Sequence, residues 1–557
     1  MKRPTASPYI KAFLAGALAV FGFAPFAIFP LPVFALAVLF WLWSRAERPA
    51  QAAWLGFAFG MGLFCVGIHW IYVALHEYGY MHPILAAMAT VLFAAVNATL
   101  PALAGYAQAK FKAPSNVRML LLMPAIWTLA EWLRGLLFTG FPWLSVGYSQ
   151  VPNSPLAGYA PLLGVFGVSL IVAASAGLLL QVAQRAIPSP FGVTSDLAGV
   201  VGQPSRMAIT NDLAACCLSQ VASSFTSSSI RGPGRGNKSR MKLLFLLILP
   251  ILLIWIVGAA LRTIEWTQPR GEPLKVSLLQ GNIAQDTKFA EEALTGTLET
   301  YRRLAQSSDA RLIVLPETAL PLLRHNIPES YQTILRDHVR KNGGDILIGA
   351  FEKEDGNYYN SVYSLGSSES QHYRKDHLVP FGEFIPLRSV FGWFINDVLD
   401  IPMGDLTSGG ATQAPLNVAG QRVAVNICYE DAFGEEIIRA LPQASLLVNV
   451  TNDAWYGDSH AAMQHNQLSQ MRALETGRMM LRATNTGVTS VIGADGRVQA
   501  MLPQREEGVL TAQVQGYEGS TPYVRWGNAG VLGLIAAMLL AAWWTQRRTF
   551  PLPPGEG

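Results

Sequence analysis

The chain has few charged residues and few cysteines for its length. Only 14% of its 557 residues are charged while 51% are hydrophobic, a balance that excludes an ordinary soluble protein. The net charge is +4, and the basic residues do not cluster in a way that predicts a basic face, so nucleic-acid binding is not expected. Cys428 is the only cysteine in roughly the last half of the chain and cannot form a disulfide within its own domain. The histidines His69, His76 and His82 lack metal-ligand spacing, so the sequence predicts neither a metal site nor a cofactor.

Long apolar runs account for much of this composition. A helix of about 20 apolar residues suffices to cross a bilayer. The sequence predicts eight such helices, at about 9–28, 29–44, 52–75, 83–109, 117–138, 159–183, 243–261 and 527–545. The first run is too long and too aromatic for a cleaved signal peptide and lacks a small-residue cleavage site, so we expect it to be retained.

The lysines and arginines predict how these helices are oriented. Basic residues accumulate in short loops on the cytoplasmic side of a membrane. They cluster before the first predicted helix, after the second, between the fourth and fifth, between the sixth and seventh, and after the eighth. The loop at 76–82 contains no lysine or arginine. All clusters fall on one side if both termini are cytoplasmic, which places 262–526 outside the cytoplasm.

These signals divide the chain into six segments. The predicted segments are transmembrane helices 1 to 6 in 1–185, a flexible cytoplasmic loop at 186–242, transmembrane helix 7 at 243–261, a folded domain at 262–526, transmembrane helix 8 at 527–545 and a cytoplasmic tail at 546–557. The loop is rich in Ser, Gly and Ala and has no sustained hydrophobic period, which is typical of a flexible segment.

The segment 262–526 has the pattern of an α/β domain. Short, nearly continuous apolar runs predict strands buried on both faces, at 274–280, 312–315, 346–349, 423–427, 446–450 and 488–492. Helical patterns lie between several of these runs, at 290–306, 329–341 and 464–482. This alternation predicts a sheet covered by helices.

Three reactive side chains lie near the ends of such runs. Glu317 follows a predicted strand and a proline, Cys428 follows another strand, and Lys375 lies in the segment between them. Functional groups gather where the strands of open α/β sheets end. A partly buried carboxylate can act as a base toward a thiol, while an ammonium can lower the thiol's pKa and stabilise an oxyanion. The three residues suit a thioester-forming acyl-transfer site, although a lone cysteine after a strand is more often part of a core.

The motifs around these residues match a known family. The order Pro-Glu at 316–317, Tyr-x-Lys-x-His-Leu-Val-Pro-Phe-Gly-Glu at 373–383 and Cys-Tyr-Glu at 428–430 resembles the nitrilase, or carbon–nitrogen hydrolase, superfamily. The predicted transmembrane helices, with Glu-Trp-Leu-Arg-Gly at 131–135 and Thr-Gly-Phe-Pro-Trp at 139–143, narrow the resemblance to the bacterial apolipoprotein N-acyltransferases.

This resemblance implies a fold and a reaction. It implies an αββα sandwich in the periplasm, attached to a polytopic helical domain in the bacterial inner membrane. It also implies that Glu317 is the general base, Lys375 the oxyanion stabiliser and Cys428 the nucleophile. Cys428 would take an acyl chain from a membrane phospholipid. The thioester would then pass that chain to the N-terminal amine of the diacylglyceryl-cysteine of an apolipoprotein.

The resemblance further implies a set of supporting residues. Glu383, Tyr429 and Glu430 are expected around the pocket, and Asn360 and Trp455 are expected to line it. We expect a monomer because no pairing surface is evident in the sequence.

Several alternatives stay open at this point. His377 is a rival partner for the thiol because Cys–His pairs are common, although the family pattern makes it structural. Arg134 either pairs with Glu131, three residues before it, or contacts a phospholipid headgroup. The aromatic, uncharged segment 390–395 is expected to dip into the bilayer beside the site. Rival functions are a membrane-tethered amidase that admits water and a transporter or scaffold whose outer domain only binds lipid.

Overall fold

The structure, a computed structural model, describes residues 7–186, 235–385 without 287 and 289, and 405–549. In the helix that begins at Arg235, side chains are described from Ile248 onward. Most of the predicted loop at 186–242 and all of the predicted membrane-dipping segment at 390–395 lie outside these residues.

Apolar helices make up most of the chain before the strands begin. They are α1 (Ser7–Ala19), α2 (Leu31–Ser44), α3 (Pro49–Gly67), α4 (Pro83–Lys110), α5 (Met123–Arg134), α6 (Ala160–Ala186) and α7 (Arg235–Leu261). A short helix at Trp70–Val73 continues into a π-helical turn at Ala74–Tyr78, and a second π-helical turn at Arg118–Leu122 leads into α5. Helix α7 begins at Arg235, before the predicted start at 243. The helical backbone therefore includes the basic residues that precede the apolar run.

The remaining part of the chain contains twelve strands in the residues that the structure describes. They are β1 (Thr267–Gln280), β2 (Leu312–Val314), β3 (Asp345–Glu354), β4 (Asn357–Gly366), β5 (His372–Arg374), β6 (Leu416–Val418), β7 (Gln421–Ile427), β8 (Leu446–Thr451), β9 (Met480–Thr484), β10 (Ser490–Ile492), β11 (Val498–Met501) and β12 (Gly508–Gly519). The longer helices here are α8 (Glu291–Gln306), α9 (Glu329–Arg340), α10 (Ala461–Thr476), α11 (Pro522–Trp526) and α12 (Ala529–Thr549).

The strands form two six-stranded sheets that face each other. Their orders are β12-β1-β2-β3-β4-β5 and β11-β10-β9-β8-β7-β6. Successive side chains of a strand point to opposite faces of its sheet. In the first sheet, Leu279 and Ile313 pack with α8 and α9, whereas Leu278 and Val314 share a buried cluster with Val425 of the second sheet. Helix α10 covers β9 and β10. This is the αββα arrangement that the resemblance implied.

Each of the six predicted strands overlaps an observed strand, but one predicted helix is wrong at its end. The pattern at 464–482 predicted one helix, whereas α10 ends at Thr476 and β9 begins at Met480. Gly477 has a φ of +63°, a left-handed conformation that commonly terminates helices. The apolar residues after it belong to a buried strand.

Among the residues that the structure describes, four helices are long and apolar enough to cross a membrane: Pro49–Gly67, Pro83–Lys110, Pro155–Ala186 and Ala529–Thr549. They coincide with the predictions at 52–75, 83–109, 159–183 and 527–545. Shorter apolar helices at Ser7–Gly22, Leu31–Ser44 and Ile248–Leu261 coincide with three further predictions. The remaining prediction, 117–138, contains the twelve-residue helix α5. The chain therefore has several apolar helices, and a total of eight membrane crossings stays a prediction.

Helices α3 and α4 pack closely because each presents a glycine to the other. A Cβ atom added at Gly56 of α3 would lie 2.2 Å from the carbonyl oxygen of Pro101. A Cβ atom added at Gly105 of α4 would lie 2.4 Å from the carbonyl oxygen of Ala52. Small residues allow such close approach of helix backbones within membranes. These two positions therefore set the distance between the helices.

We predict that Gly56→Ala lowers the stability of the protein by about 1–3 kcal/mol, because the added methyl group forces the two helices apart. Gly533→Ala in α12 is the matched control, since a Cβ atom there meets nothing within 4 Å. Thermal unfolding in detergent, followed by circular dichroism, measures both variants. Equal midpoints for Gly56→Ala and Gly533→Ala would contradict the close packing.

Candidate active site

The ends of three strands bring the predicted catalytic residues to one place. Glu317 follows β2, Lys375 follows β5, and Cys428 follows β7, so both sheets contribute. Glu317 Oε1 lies 3.6 Å from Lys375 Nζ. Both charged groups interact electrostatically with the Cys428 thiol. All three residues are buried. The sequence-predicted set therefore forms a single cluster.

Two hydrogen bonds hold the Glu317 carboxylate. Asn360 Nδ2 donates to Oε1 at 2.7 Å, and the backbone N–H of Asn452 donates to Oε2 at 2.9 Å. Donors of this kind stabilise the ionised carboxylate and fix its orientation. Asn360, which was expected to line the pocket, thus contacts the predicted base directly.

The Lys375 ammonium lies between two carboxylates. Its Nζ donates to Glu383 Oε1 at 2.8 Å, closer than its contact with Glu317. The other oxygen of Glu383 accepts the backbone N–H of Val379 at 2.8 Å. Burial acts to lower the pKa of Lys375, but the charges of Glu383 and Glu317 outweigh burial and raise that pKa above its ordinary value. Lys375 therefore remains charged, as an oxyanion stabiliser requires.

Cys428 is held as a thiol in the resting site. Burial, followed by the negative charge of Glu317, raises the pKa of the thiol well above its usual range. The charge of Lys375 and a hydrogen bond with Thr451 act in the opposite direction. The thiol consequently needs a base to become nucleophilic, and Glu317, whose charge acts on the thiol, is the candidate.

Glu430 connects the segment that follows Lys375 to the turn at Cys428–Ala432, called the cysteine turn below. Its Oε1 accepts the backbone N–H groups of Asp376 at 2.7 Å and His377 at 3.1 Å. Its Oε2 accepts the backbone N–H of Ile427 at 2.6 Å, and the Tyr373 hydroxyl donates to the carboxylate at 3.0 Å. Burial raises the pKa of Glu430 to about 7 although the backbone donors oppose that rise. The expected supporting residue is thus a link between two segments.

Tyr429 and Trp455 contact different parts of the chain before the strands. The Tyr429 hydroxyl donates to the carbonyl oxygen of Gly140 at 3.0 Å, and its ring stacks near Trp143 with centroids 6.3 Å apart. Tyr429 therefore contacts the loop that follows α5. Trp455 is 43% exposed and lies beside Tyr78, with ring centroids 6.4 Å apart. Trp455 thus presents an accessible aromatic surface near the end of the π-helical turn at Ala74–Tyr78.

The structure also places the two residues for which alternatives were open. His377 Nδ1 bonds Glu436 Oε1 at 3.0 Å, and its ring stacks on Phe433 with centroids 3.8 Å apart. These contacts favour the structural role over pairing with the thiol. Arg134 is buried and donates to the carbonyl oxygen of Trp143 at 2.6 Å. Its guanidinium therefore supports the loop after α5, and contact with a phospholipid headgroup stays a prediction.

Lys288 was not predicted from the sequence, although its ammonium contacts the backbone of Glu317. Lys288 Nζ donates to Thr318 Oγ1 at 2.7 Å and to the carbonyl oxygen of Glu317 at 3.3 Å. Burial lowers the pKa of Lys288 to about 8, and the charge of Glu317 opposes that effect. A signal was available, because Lys288 follows β1 and β1 runs parallel to β2. The strand-end argument that selected Glu317 applies to Lys288 as well.

The arrangement suits nucleophilic acyl transfer. A buried thiol, a carboxylate and an ammonium whose pKa is raised could supply a nucleophile, a base and an oxyanion stabiliser. Within the described residues, no group of three or more His, Cys, Asp or Glu side chains is arranged to hold a metal ion.

We predict that Glu317→Gln separates the two effects of this carboxylate. Loss of the base should slow acylation of Cys428 by a p-nitrophenyl ester by about 10²- to 10⁴-fold. Loss of its negative charge should lower the pKa of the thiol, because that charge contributes to raising it. The pH dependence of alkylation by iodoacetamide measures the pKa, and intact-mass spectrometry measures acylation. Glu299→Gln on the exposed face of α8 is the control. An unchanged thiol pKa, or wild-type acylation, would count against the assignment.

We predict that Glu430→Gln weakens the link between the two segments. An amide NH₂ group would face backbone N–H donors where a carboxylate oxygen now accepts from them. The cost should be about 1–3 kcal/mol in the free energy of unfolding, with slower acylation of the thiol. Chemical denaturation and ester acylation measure the two effects, with the exposed Glu329→Gln as control. Wild-type values for both would rule out the link.

Both parts of the chain resemble known proteins. Residues 15–178 match the family described as apolipoprotein N-acyltransferase N-terminal domain, and residues 275–523 match the carbon-nitrogen hydrolase family. The apolipoprotein N-acyltransferase of Nitrosomonas europaea is 48% identical over 534 residues, which cover 96% of each chain. That of Chromobacterium violaceum is 41% identical, covering 96% of this chain and 93% of the relative. That of Methylococcus capsulatus is 40% identical, covering 97% and 96%.

Proposed function

The chain belongs to the apolipoprotein N-acyltransferase family, and from this premise we propose that it completes the maturation of bacterial lipoproteins. It transfers an acyl chain from a membrane phospholipid to the N-terminal amine of the diacylglyceryl-cysteine of an apolipoprotein. The observation that carries the proposal is the convergence of Glu317, Lys375 and Cys428 in a buried cluster that adjoins apolar helices.

In the first half-reaction, Glu317 takes the proton of the Cys428 thiol as sulfur attacks the ester carbonyl of the phospholipid. A carbon–sulfur bond forms, and Lys375 stabilises the negative charge on the carbonyl oxygen. Collapse of this intermediate breaks the ester carbon–oxygen bond. The leaving oxygen takes the proton from Glu317, and a lysophospholipid departs.

In the second half-reaction, the lipoprotein amine attacks the thioester carbonyl and Glu317 takes a proton from the amine. Collapse breaks the carbon–sulfur bond, and the departing sulfur of Cys428 recovers the proton from Glu317. The product is an amide, and the enzyme returns to its starting state. Because the lysophospholipid departs before the amine attacks the covalent acyl-enzyme, the reaction is of the ping-pong type.

The contact between Tyr429 and Gly140 supports a lipid substrate. It joins the cysteine turn to the loop after α5, in which Leu136, Leu137 and Phe138 are 50%, 49% and 90% exposed. Exposed apolar side chains beside apolar helices suit contact with acyl chains, whose transfer to water costs about 0.8 kcal/mol per CH₂. A soluble amide substrate would need no such surface.

The proposed topology follows from the basic clusters and the apolar helices. We place eight transmembrane helices in the bacterial inner membrane, with both termini in the cytoplasm and the catalytic domain at 262–526 in the periplasm. The enzyme acts as a monomer, and both lipid substrates reach the site laterally from the bilayer.

The test is intact-mass spectrometry of the purified protein after incubation with phospholipid, with Cys428→Ala as the matched variant. We expect wild type to gain the mass of one acyl chain, Cys428→Ala to gain none, and a diacylated lipopeptide to discharge the adduct while becoming acylated itself. An adduct on Cys428→Ala, or none on wild type, would reject the thioester. Discharge by water with the lipopeptide left unmodified would favour a membrane-tethered hydrolase.

A further inference from the structure

A buried cluster of charged side chains supports the cysteine turn. Asp431 and Asp453 lie on either side of His465, and Arg482 bridges the two carboxylates. None of these four side chains is more than 1% exposed. Arg482 Nη1 lies 3.2 Å from Asp431 Oδ2, and Nη2 lies 3.0 Å from Asp453 Oδ2. The mechanism described above uses none of them.

Both ring nitrogens of His465 face acceptors. Nδ1 lies 2.8 Å from Asp453 Oδ1, and Nε2 lies 3.0 Å from Asp431 Oδ1. A neutral imidazole carries one N–H and would turn a lone pair toward a carboxylate oxygen. The geometry thus favours an imidazolium, with which two positive charges balance two buried carboxylates. Burial and Arg482 oppose this protonation, but the carboxylates outweigh them and raise the pKa of His465 to about 9.

The same imidazolium reaches the backbone of the nucleophile. His465 Nε2 lies 3.3 Å from the carbonyl oxygen of Cys428, and Asn449 Nδ2 donates to that oxygen at 3.0 Å. Cys428 has a φ of +54°, a left-handed conformation that non-glycine residues adopt only where their surroundings hold it. The ring of Trp143, from the loop after α5, packs against His465 with centroids 5.4 Å apart. His465 is therefore fixed on several sides while it holds the carbonyl group.

We propose that His465 is a positioning residue for acyl transfer, whose imidazolium holds the Cys428 carbonyl and keeps the left-handed turn that places the thiol beside Glu317 and Lys375. This role rests on the proposed function, because the thiol is the nucleophile of that reaction. His465 touches no substrate atom in the proposed steps, so its effect is on the geometry of Cys428.

The experiment compares His465→Gln, the double variant Asp431→Asn/His465→Gln, and His338→Gln. The double variant restores the charge balance of the cluster, so its stability should approach that of wild type. His338→Gln is the control, because His338 bonds the carbonyl oxygen of Ser308 outside this cluster. Three quantities are measured: the thermal midpoint, the alkylation rate of Cys428 by iodoacetamide, and kcat and KM with phospholipid.

We expect the double variant to fold with a midpoint near that of wild type while its alkylation rate and kcat fall by about 10- to 100-fold, because displacement of a reacting group by about 1 Å can cost 10²-fold. KM should stay near wild type, since no lipid contact is altered. Recovery of alkylation and kcat together with stability would overturn the proposal and leave His465 a folding residue. Slow alkylation of the variant, with no acyl adduct on wild type, would support the positioning role and reject the thioester function.

A measurement on wild type decides the matter if the variants fail to fold. Nitrogen-15 spectra of histidine-labelled protein at pH 8 should show one ring that keeps both protons, since an unperturbed histidine has a pKa of about 6.5. Absence of any imidazolium signal at this pH would overturn the proposal.

Discussion

A charge that is removed from water must be paired, and the site is organised around that requirement at Lys375. Its ammonium is closer to Glu383 than to Glu317, by 2.8 Å against 3.6 Å. Glu383 in turn is fixed by the backbone N–H of Val379. Lys375 therefore keeps a counter-ion when Glu317 takes up a proton. In the proposed reaction, Glu317 can thus change its charge without leaving Lys375 unpaired.

Buried polar groups also need partners where the sandwich meets the apolar helices. Glu475, on α10, pairs with Arg472 at 2.9 Å and accepts the backbone N–H of Val165 from α6 at 2.5 Å. Gln464, also on α10, accepts the indole N–H groups of Trp70 at 3.2 Å and Trp143 at 2.7 Å. These polar contacts are directional, unlike apolar packing, so they fix how α10 sits against the helices. The apolar helices are thus part of the support of the active site.

Features that depend on a short stretch of the chain, such as a strand and the residue that follows it, could be predicted from the sequence. Glu317 and Cys428 could be selected because each follows an apolar run that ends locally. Strand β4 was missed because the buried polar residues Asn360, Ser361 and Ser364 interrupt its apolar run. Strand β12 was missed because exposed and half-buried positions lie between its buried ones. His465 could not be predicted, since its partner Cys428 lies 37 residues away and the contact arises only when α10 packs against β9, β10 and the turn at Cys428–Ala432. Burial of polar residues on a helix with no clear apolar face gives no pattern in the sequence.

The high pKa of the Cys428 thiol has a consequence beyond catalysis. A thiolate is the species that reacts in disulfide exchange and oxidation, and both are favoured outside the cytoplasm. With the catalytic domain in the periplasm, as proposed, a thiolate at rest would be exposed to such reactions. Burial and the charge of Glu317 keep the proton on sulfur. In the proposed mechanism the thiol becomes nucleophilic only as Glu317 accepts that proton. The carboxylate that would activate Cys428 in the presence of an ester therefore also protects it in the absence of one.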